Sequence, residues 1–241
     1  VADYDGDPSP PSNNLSGFSH GSHVSGLIAA ATNNNKGIAS IGYYVQILPI
    51  KASKNASTPG YLQNAFDGIV YAMVNGAQVI NMSWGGYAYS YTYESLVELA
   101  QNSGIICVAA AGNGGTNIPM YPASYKNVIG VGATDSKDEI ANFSNYGSSI
   151  DFMAPGVGIY STVSNSNSSY ANKSGTSMSA PLVSGLIALI KSEAPAMKLK
   201  DVYDVLSLTA QPVKNLYKPK LNGVGNGIID AGAALKSVAG L

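Results

Sequence analysis

A three-layer α/β fold, built on a doubly wound and mostly parallel sheet, is the fold class predicted for this 241-residue chain. Three observations predict it. Amphipathic helical stripes alternate with short apolar runs, as in a sheet whose strands are joined by crossover helices. Runs such as IICVAAA are apolar on both faces, so they need cover from both sides. With 45% apolar residues and 27 glycines, the length suits one large core better than two, and residues 1–241 read as a single domain.

Each element follows in order. After His20, Val24, Leu27, Ile28 and Ala31 recur at helical spacing until TNNNKG breaks the pattern. YYVQILPIKA, residues 43–52, then reads as a buried strand. Leu62, Phe66, Ile69, Val70 and Met73 form a second stripe, closed by Asn75-Gly76 and followed by the strand AQVINMSW. A third helix is expected from Tyr93 to Asn102, then the strand GIICVAAAGN ending at Asn113, then the strand VIGVGAT. Val183, Leu186, Ile187 and Ile190 mark a long helix that opens beside Ser177, and two shorter helices are expected near Asp201–Leu208 and in DAGAALKSV. In such sheets the chemistry gathers beyond the carboxyl ends of the strands.

Composition removes several classes of partner. Charged residues are 11% and the net charge is −1, so no basic field exists for a nucleic acid or an anionic membrane. No apolar run reaches the roughly eighteen residues of a membrane span. Uncharged polar stretches such as TVSNSNSSYANKSG supply the surface, which suits a secreted protein. Cys107 is the only cysteine, excludes an internal disulfide and reads as a small buried hydrophobe.

His20 and His23, the only two histidines, lie one turn apart at the start of a helix. That spacing could hold a metal if more ligands joined, but there is no third histidine and the cysteine lies in an apolar run. A second reading fits the residues better. An imidazole at a helix amino end is kept unprotonated by the positive end of the dipole and can serve as a general base. Ser177, among Gly175, Ser179 and Ala180, is the matching nucleophile: small neighbours admit a substrate backbone, and a helix amino terminus suits an oxyanion.

These segments resemble the subtilisin-like serine proteases, the subtilases, nearer their thermitase-like branch. SHGSHVSG is similar to the family's histidine motif, SGTSMSAP to its serine motif, AAAGNGG to the segment of its oxyanion asparagine and NMSWGGY to its peptide-binding strand. GIASIG, YPASY, FSNYGSSIDFMAPG and GNGIIDAGAAL follow in family order, so the likeness covers nearly the whole chain. It implies a serine endopeptidase in which His20 is the base, Ser177 the nucleophile and Asn113 an oxyanion donor, with His23 structural. It implies an extended peptide or protein substrate paired along Ser83, Trp84, Gly85 and Gly86, and a primary pocket bordered by Met120, which would favour medium apolar residues over large aromatic ones. The chemistry needs no cofactor, while TNNNKGIAS resembles a calcium loop to which Asn33 would contribute.

One part of the pattern is missing. The family's aspartate lies on a buried strand upstream of the histidine, whereas Asp3, Asp5 and Asp7 lie in the turn-rich stretch VADYDGDPSPPSNN, which resembles the segment between the two motifs. The expectation is that the strand bearing this aspartate is absent from the sequence and is supplied as an amino-terminal segment or a separate chain. The rival function is a catalytically silent peptide-binding protein. An esterase or lipase fits less well, since Gly-Thr-Ser-Met-Ser lacks the second glycine of a nucleophile elbow.

Overall fold

A computed structural model describes residues 2–3, 5–11, 14–166, 168–216 and 223–239. Val1, Tyr4, Ser12 and Asn13 of the opening stretch thus lie outside the described residues. The elements in chain order are α1 (His20–Ala29), α2 (Ala65–Val74), β1 (Val79–Met82), α3 (Tyr91–Asn102), β2 (Ile106–Ala110), β3 (Ile129–Thr134) and β4 (Phe152–Pro155). Then come β5 (Ile159–Thr162), β6 (Tyr170–Lys173), α4 (Thr176–Glu193), α5 (Leu199–Thr209) and α6 (Ala231–Val238).

Strands β1 to β4 form one parallel sheet in that spatial order, with Ile80 opposite Cys107, Val108 opposite Ile129 and Val131 opposite Phe152. Strands β5 and β6 form an antiparallel hairpin outside it. Both faces of the sheet are covered. On one, Val108, Val131 and Phe152 pack against Val183, Leu186 and Ile187 of α4, with α5 and α6 behind. On the other, Cys107 and Met82 pack against Ile69 of α2 and Val97 of α3. Every residue of β2 and β3 is buried, as the doubly apolar runs require. Cys107 is fully enclosed, as a small hydrophobe would be, and burial pushes its thiol up to about 12.

This parallel sheet with helices on both faces is the predicted α/β class; among the described strands the order runs consecutively from β1 to β4, and the connections from β2 to β3 and from β3 to β4 contain no helix. One expectation is corrected: residues 43–52 form no strand. Ile50 packs under α2 beside Gly68, but Tyr44, Ile47 and Leu48 are exposed. The run is apolar without being enclosed, and neither it nor the edge of β1 away from β2 carries a backbone ladder among the described residues; an apolar run becomes a strand only where a partner in register supplies those bonds.

Candidate active site

The carboxyl ends of β1 and β2 and the amino ends of α1 and α4 share one rim of the molecule. Ser177 is the second residue of α4, and Gly175, at φ +154, caps the helix in a conformation that L side chains rarely adopt. Pro181 sits one turn into α4 and has no N–H to give to the Ser177 carbonyl. That carbonyl instead accepts the Ser83 hydroxyl at 2.9 Å, while the Ser177 hydroxyl donates to the Ser83 carbonyl at 3.1 Å. Ser83 is itself fixed by Asn81 Nδ2 at 2.9 Å, and Asn81 Oδ1 by the Ser184 hydroxyl at 2.9 Å. The nucleophile candidate is thereby tied to the end of β1.

Asn113 follows β2 and is exposed. Its Oδ1 accepts the Thr176 backbone N–H at 2.9 Å and the Thr176 hydroxyl at 3.0 Å, and Thr176 Oγ1 accepts the Gly112 N–H at 3.0 Å. Because both partners of that carboxamide atom are donors, it is the oxygen, and the amide nitrogen faces the other way. Nδ2 lies over Gly175, where an added Cβ would be 3.3 Å from it. Among the described residues Nδ2 has no hydrogen-bond partner, which leaves a free donor next to the amino end of α4.

Met120 lies between the two segments expected to form a pocket. An added Cβ at Gly112 would meet Met120 Sδ at 2.4 Å, and one at Gly85 would meet Met120 Cε at 2.8 Å. Gly112, at φ +104, is required both by its backbone and by this approach. Gly86 and Tyr121 exchange backbone bonds of 2.8 and 2.7 Å, so one edge of the Ser83–Gly86 segment is paired. Gly85 and Gly86 are exposed, whereas Trp84 is half-buried and turns its ring edge-on to Phe66 at 5.1 Å.

The two histidines diverge. His23 is fully buried, and its Nε2 lies 3.0 Å from the carbonyl oxygens of both Ile159 and Ala171. Two acceptor partners assign the proton to Nε2 and leave Nδ1 bare. The Ser161 hydroxyl donates to the His23 carbonyl at 2.8 Å, so His23 ties α1 to the β5–β6 hairpin. His20 is exposed at the first position of α1, one turn before Val24, which packs with Leu27 against Met178, the neighbour of Ser177. The helices bearing His20 and Ser177 are therefore in contact near both residues. No hydrogen bond joins the two side chains, since the Ser177 proton is directed to Ser83. Desolvation, then the charge of Lys173, then His23 pull the His20 imidazole down to about 4, and solvent at the rim moderates that shift.

No aspartate of the opening stretch serves His20. Asp3 pairs with Lys51 at 2.7 Å and accepts the Asn55 N–H at 3.1 Å, while Asp5 and Asp7 accept backbone N–H groups of Asp7 and Ser9. In the loop that resembles a calcium site, Asn33, at φ +56, gives its amide nitrogen to the Tyr43 hydroxyl at 3.5 Å, a bond that does not use its Oδ1, and Asn34 Oδ1 accepts the Lys36 N–H at 3.0 Å. No group of three or more His, Cys, Asp or Glu that would hold a metal exists among the described residues, so any cation here would rest on amide and backbone oxygens.

Sequence reasoning missed the residues that hold the site together. Buried Asn145 accepts the Gly114 N–H at 2.9 Å and donates to the Ala111 carbonyl at 2.9 Å, which shapes the loop around Asn113. Thr176 and the Ser83 hydroxyl act in the same way, and only their places inside motifs marked them. Lys173, four residues before Ser177, was also missed; a cation so near a nucleophile was the available signal.

A parallel sheet under α4, with a serine, a carboxamide and an imidazole on one rim, defines the class: an α/β protein with a polar site at the carboxyl ends of its strands. The chain belongs to the subtilase family, whose profile matches residues 2–227. It is 48% identical over 175 residues to the thermophilic serine proteinase of Bacillus sp. strain AK1, covering 72% of this chain and 43% of that one. It is 42% identical over 191 residues to thermitase of Thermoactinomyces vulgaris, covering 79% of this chain and 66% of that one. Proteases from Pseudoalteromonas arctica share the fold with a TM-score of 0.82 and 31% identity, over 91% of this chain and 71% of that one. The expected thermitase-like placement and α/β fold agree with these likenesses. The chain spans less than half the length of the Bacillus relative.

Proposed function

We propose that this chain is a serine endopeptidase that cleaves peptide or protein substrates without a cofactor. His20 takes the proton of Ser177, whose Oγ attacks the scissile carbonyl; the Ser177 N–H and Asn113 Nδ2 receive the oxyanion. His20 then protonates the leaving amine, and water releases the acyl-enzyme by the same route. The carrying observation is the Asn113 carboxamide, held by Thr176 so that its free nitrogen lies beside Ser177. The substrate runs along Ser83–Gly86, and the thioether of Met120 shortens the pocket for the residue before the scissile bond. The uncharged polar surface supports secretion, and no described helix is long and apolar enough to cross a membrane.

His20 works best with a carboxylate on its second ring nitrogen. We infer that an added strand, in the same polypeptide or in a separate one, pairs with the free edge of β1 and carries that carboxylate. The unpaired edge and the ladder-less segment 43–52 support this. One observation favours a silent peptide-binding protein: the His20 ring has no hydrogen-bond partner among the described residues. Profiling with a peptide library decides between them. Cleavage that disappears in Ser177→Ala, with medium apolar residues before the scissile bond, supports the peptidase. Peptide binding without cleavage supports the silent protein, and a profile led by Phe or Tyr removes the role given to Met120.

A further inference from the structure

Lys173 ends β6, and its ammonium donates to the hydroxyl of Ser19, the residue before His20, at 2.8 Å. That single bond spans the element leading to Ser177 and the element bearing His20. Lys173 is half-buried, and no carboxylate pairs with it among the described residues, whose ion pairs are Lys51–Asp3, Lys200–Asp204 and Lys214–Asp138. Its charge is felt at both imidazoles. A partly desolvated ammonium without a counter-ion is costly unless an anion arrives from outside. With one N–H on Ser19, the group keeps further donors for such a ligand.

The direction of the reaction says where that ligand lies. The base returns its proton to the leaving amine, so the leaving half of the substrate passes the His20 side of Ser177. Met120, Gly85 and Asn113 flank the acyl half. Resting on the peptidase reading, we infer that Lys173 is a specificity-determining residue that binds a side-chain carboxylate on the residue immediately after the scissile bond. Acidic residues there gain a charge-assisted hydrogen bond, and basic residues meet a like charge.

Internally quenched peptides that differ only in Glu, Gln or Lys at this position test the assignment on the full chain. The wild type should cleave the Glu peptide with a kcat/KM about fivefold to tenfold above the Lys peptide, a ratio that shrinks with added salt. Lys173→Gln should bring the ratio near one, and Lys173→Glu should invert it. If the reversed variant does not fold, the wild-type ratio and Lys173→Gln decide. Ser177-dependent cleavage with a wild-type ratio at or below one, or with the same ratio in Lys173→Glu, overturns the assignment alone. Absence of Ser177-dependent cleavage of all three peptides overturns the peptidase reading and this inference with it.

Discussion

The serine side and the histidine side of the site are built differently. Around Ser177 and Asn113, the side chains of Ser83, Asn81, Thr176 and Asn145 exchange hydrogen bonds with strand ends and with the first turn of α4. Around His20, no side chain bonds the ring among the described residues, the nearest named charge is a cation, and the segment after α1 has no ladder. The first half is pre-organised by its own sheet, which is what oxyanion stabilisation requires. The second has its helix in place, and among the described residues nothing orients the imidazole. The surroundings of Ser177 are thus properties of this sheet, whereas on the reading proposed above those of His20 depend on the strand that would fill the edge of β1.

Substitutions sharpen this contrast, beginning with the largest effect. His20→Ala should cut kcat/KM on the order of 10²- to 10⁴-fold, the range for a general base, with little change in melting temperature because the residue is exposed. An activity loss that follows unfolding would break the comparison. Asn113→Ala should lower kcat by about 10²- to 10³-fold, a range established within this family, and leave KM nearly unchanged. A pure KM effect would move Asn113 from the oxyanion to substrate binding. In denaturant unfolding, Leu186→Ala should cost about 2–5 kcal/mol, because that side chain fills the core under α4. Leu48→Ala should cost less than about 1 kcal/mol, because its segment stands half in water. A similar loss for both would mean that residues 43–52 are packed as tightly as the sheet.

The smallest effect is on pH. Desolvation and the charge of Lys173 hold the folded His20 imidazole below the ordinary 6.5, by less than full burial would because the ring is exposed, so the unfolded chain binds a proton first as pH falls. Stability should therefore drop modestly as pH falls below about 6.5, and His20→Gln should flatten that drop. In kcat/KM, the acid limb should lie below 6.5 and move upward if a carboxylate is brought beside the ring.

Much of this was legible in the sequence. The stripe through Val183, Leu186 and Ile187 located α4, and the runs IICVAAA and VIGVGAT located the buried strands, because period and burial act locally. The candidate serine, carboxamide and first histidine are marked by motifs whose small residues and helix starts have local reasons, and the structure brings Ser177 and Asn113 to the first turn of α4 and His20 to the start of α1. Residues 43–52 misled, because an apolar run becomes a strand only when a neighbour offers backbone bonds. Thr176, Asn145 and Lys173 stayed hidden for a related reason: their roles arise from contacts between distant segments, such as Lys173 with Ser19 and Asn145 with Ala111.

Covalent labelling with a fluorophosphonate, read by peptide mass mapping, tests the central claim most directly. One adduct on the Ser177 oxygen, lost in Ser177→Ala and strongly slowed in His20→Ala, is the predicted result. An unlabelled wild type, or an adduct that persists on another serine in Ser177→Ala, would contradict it.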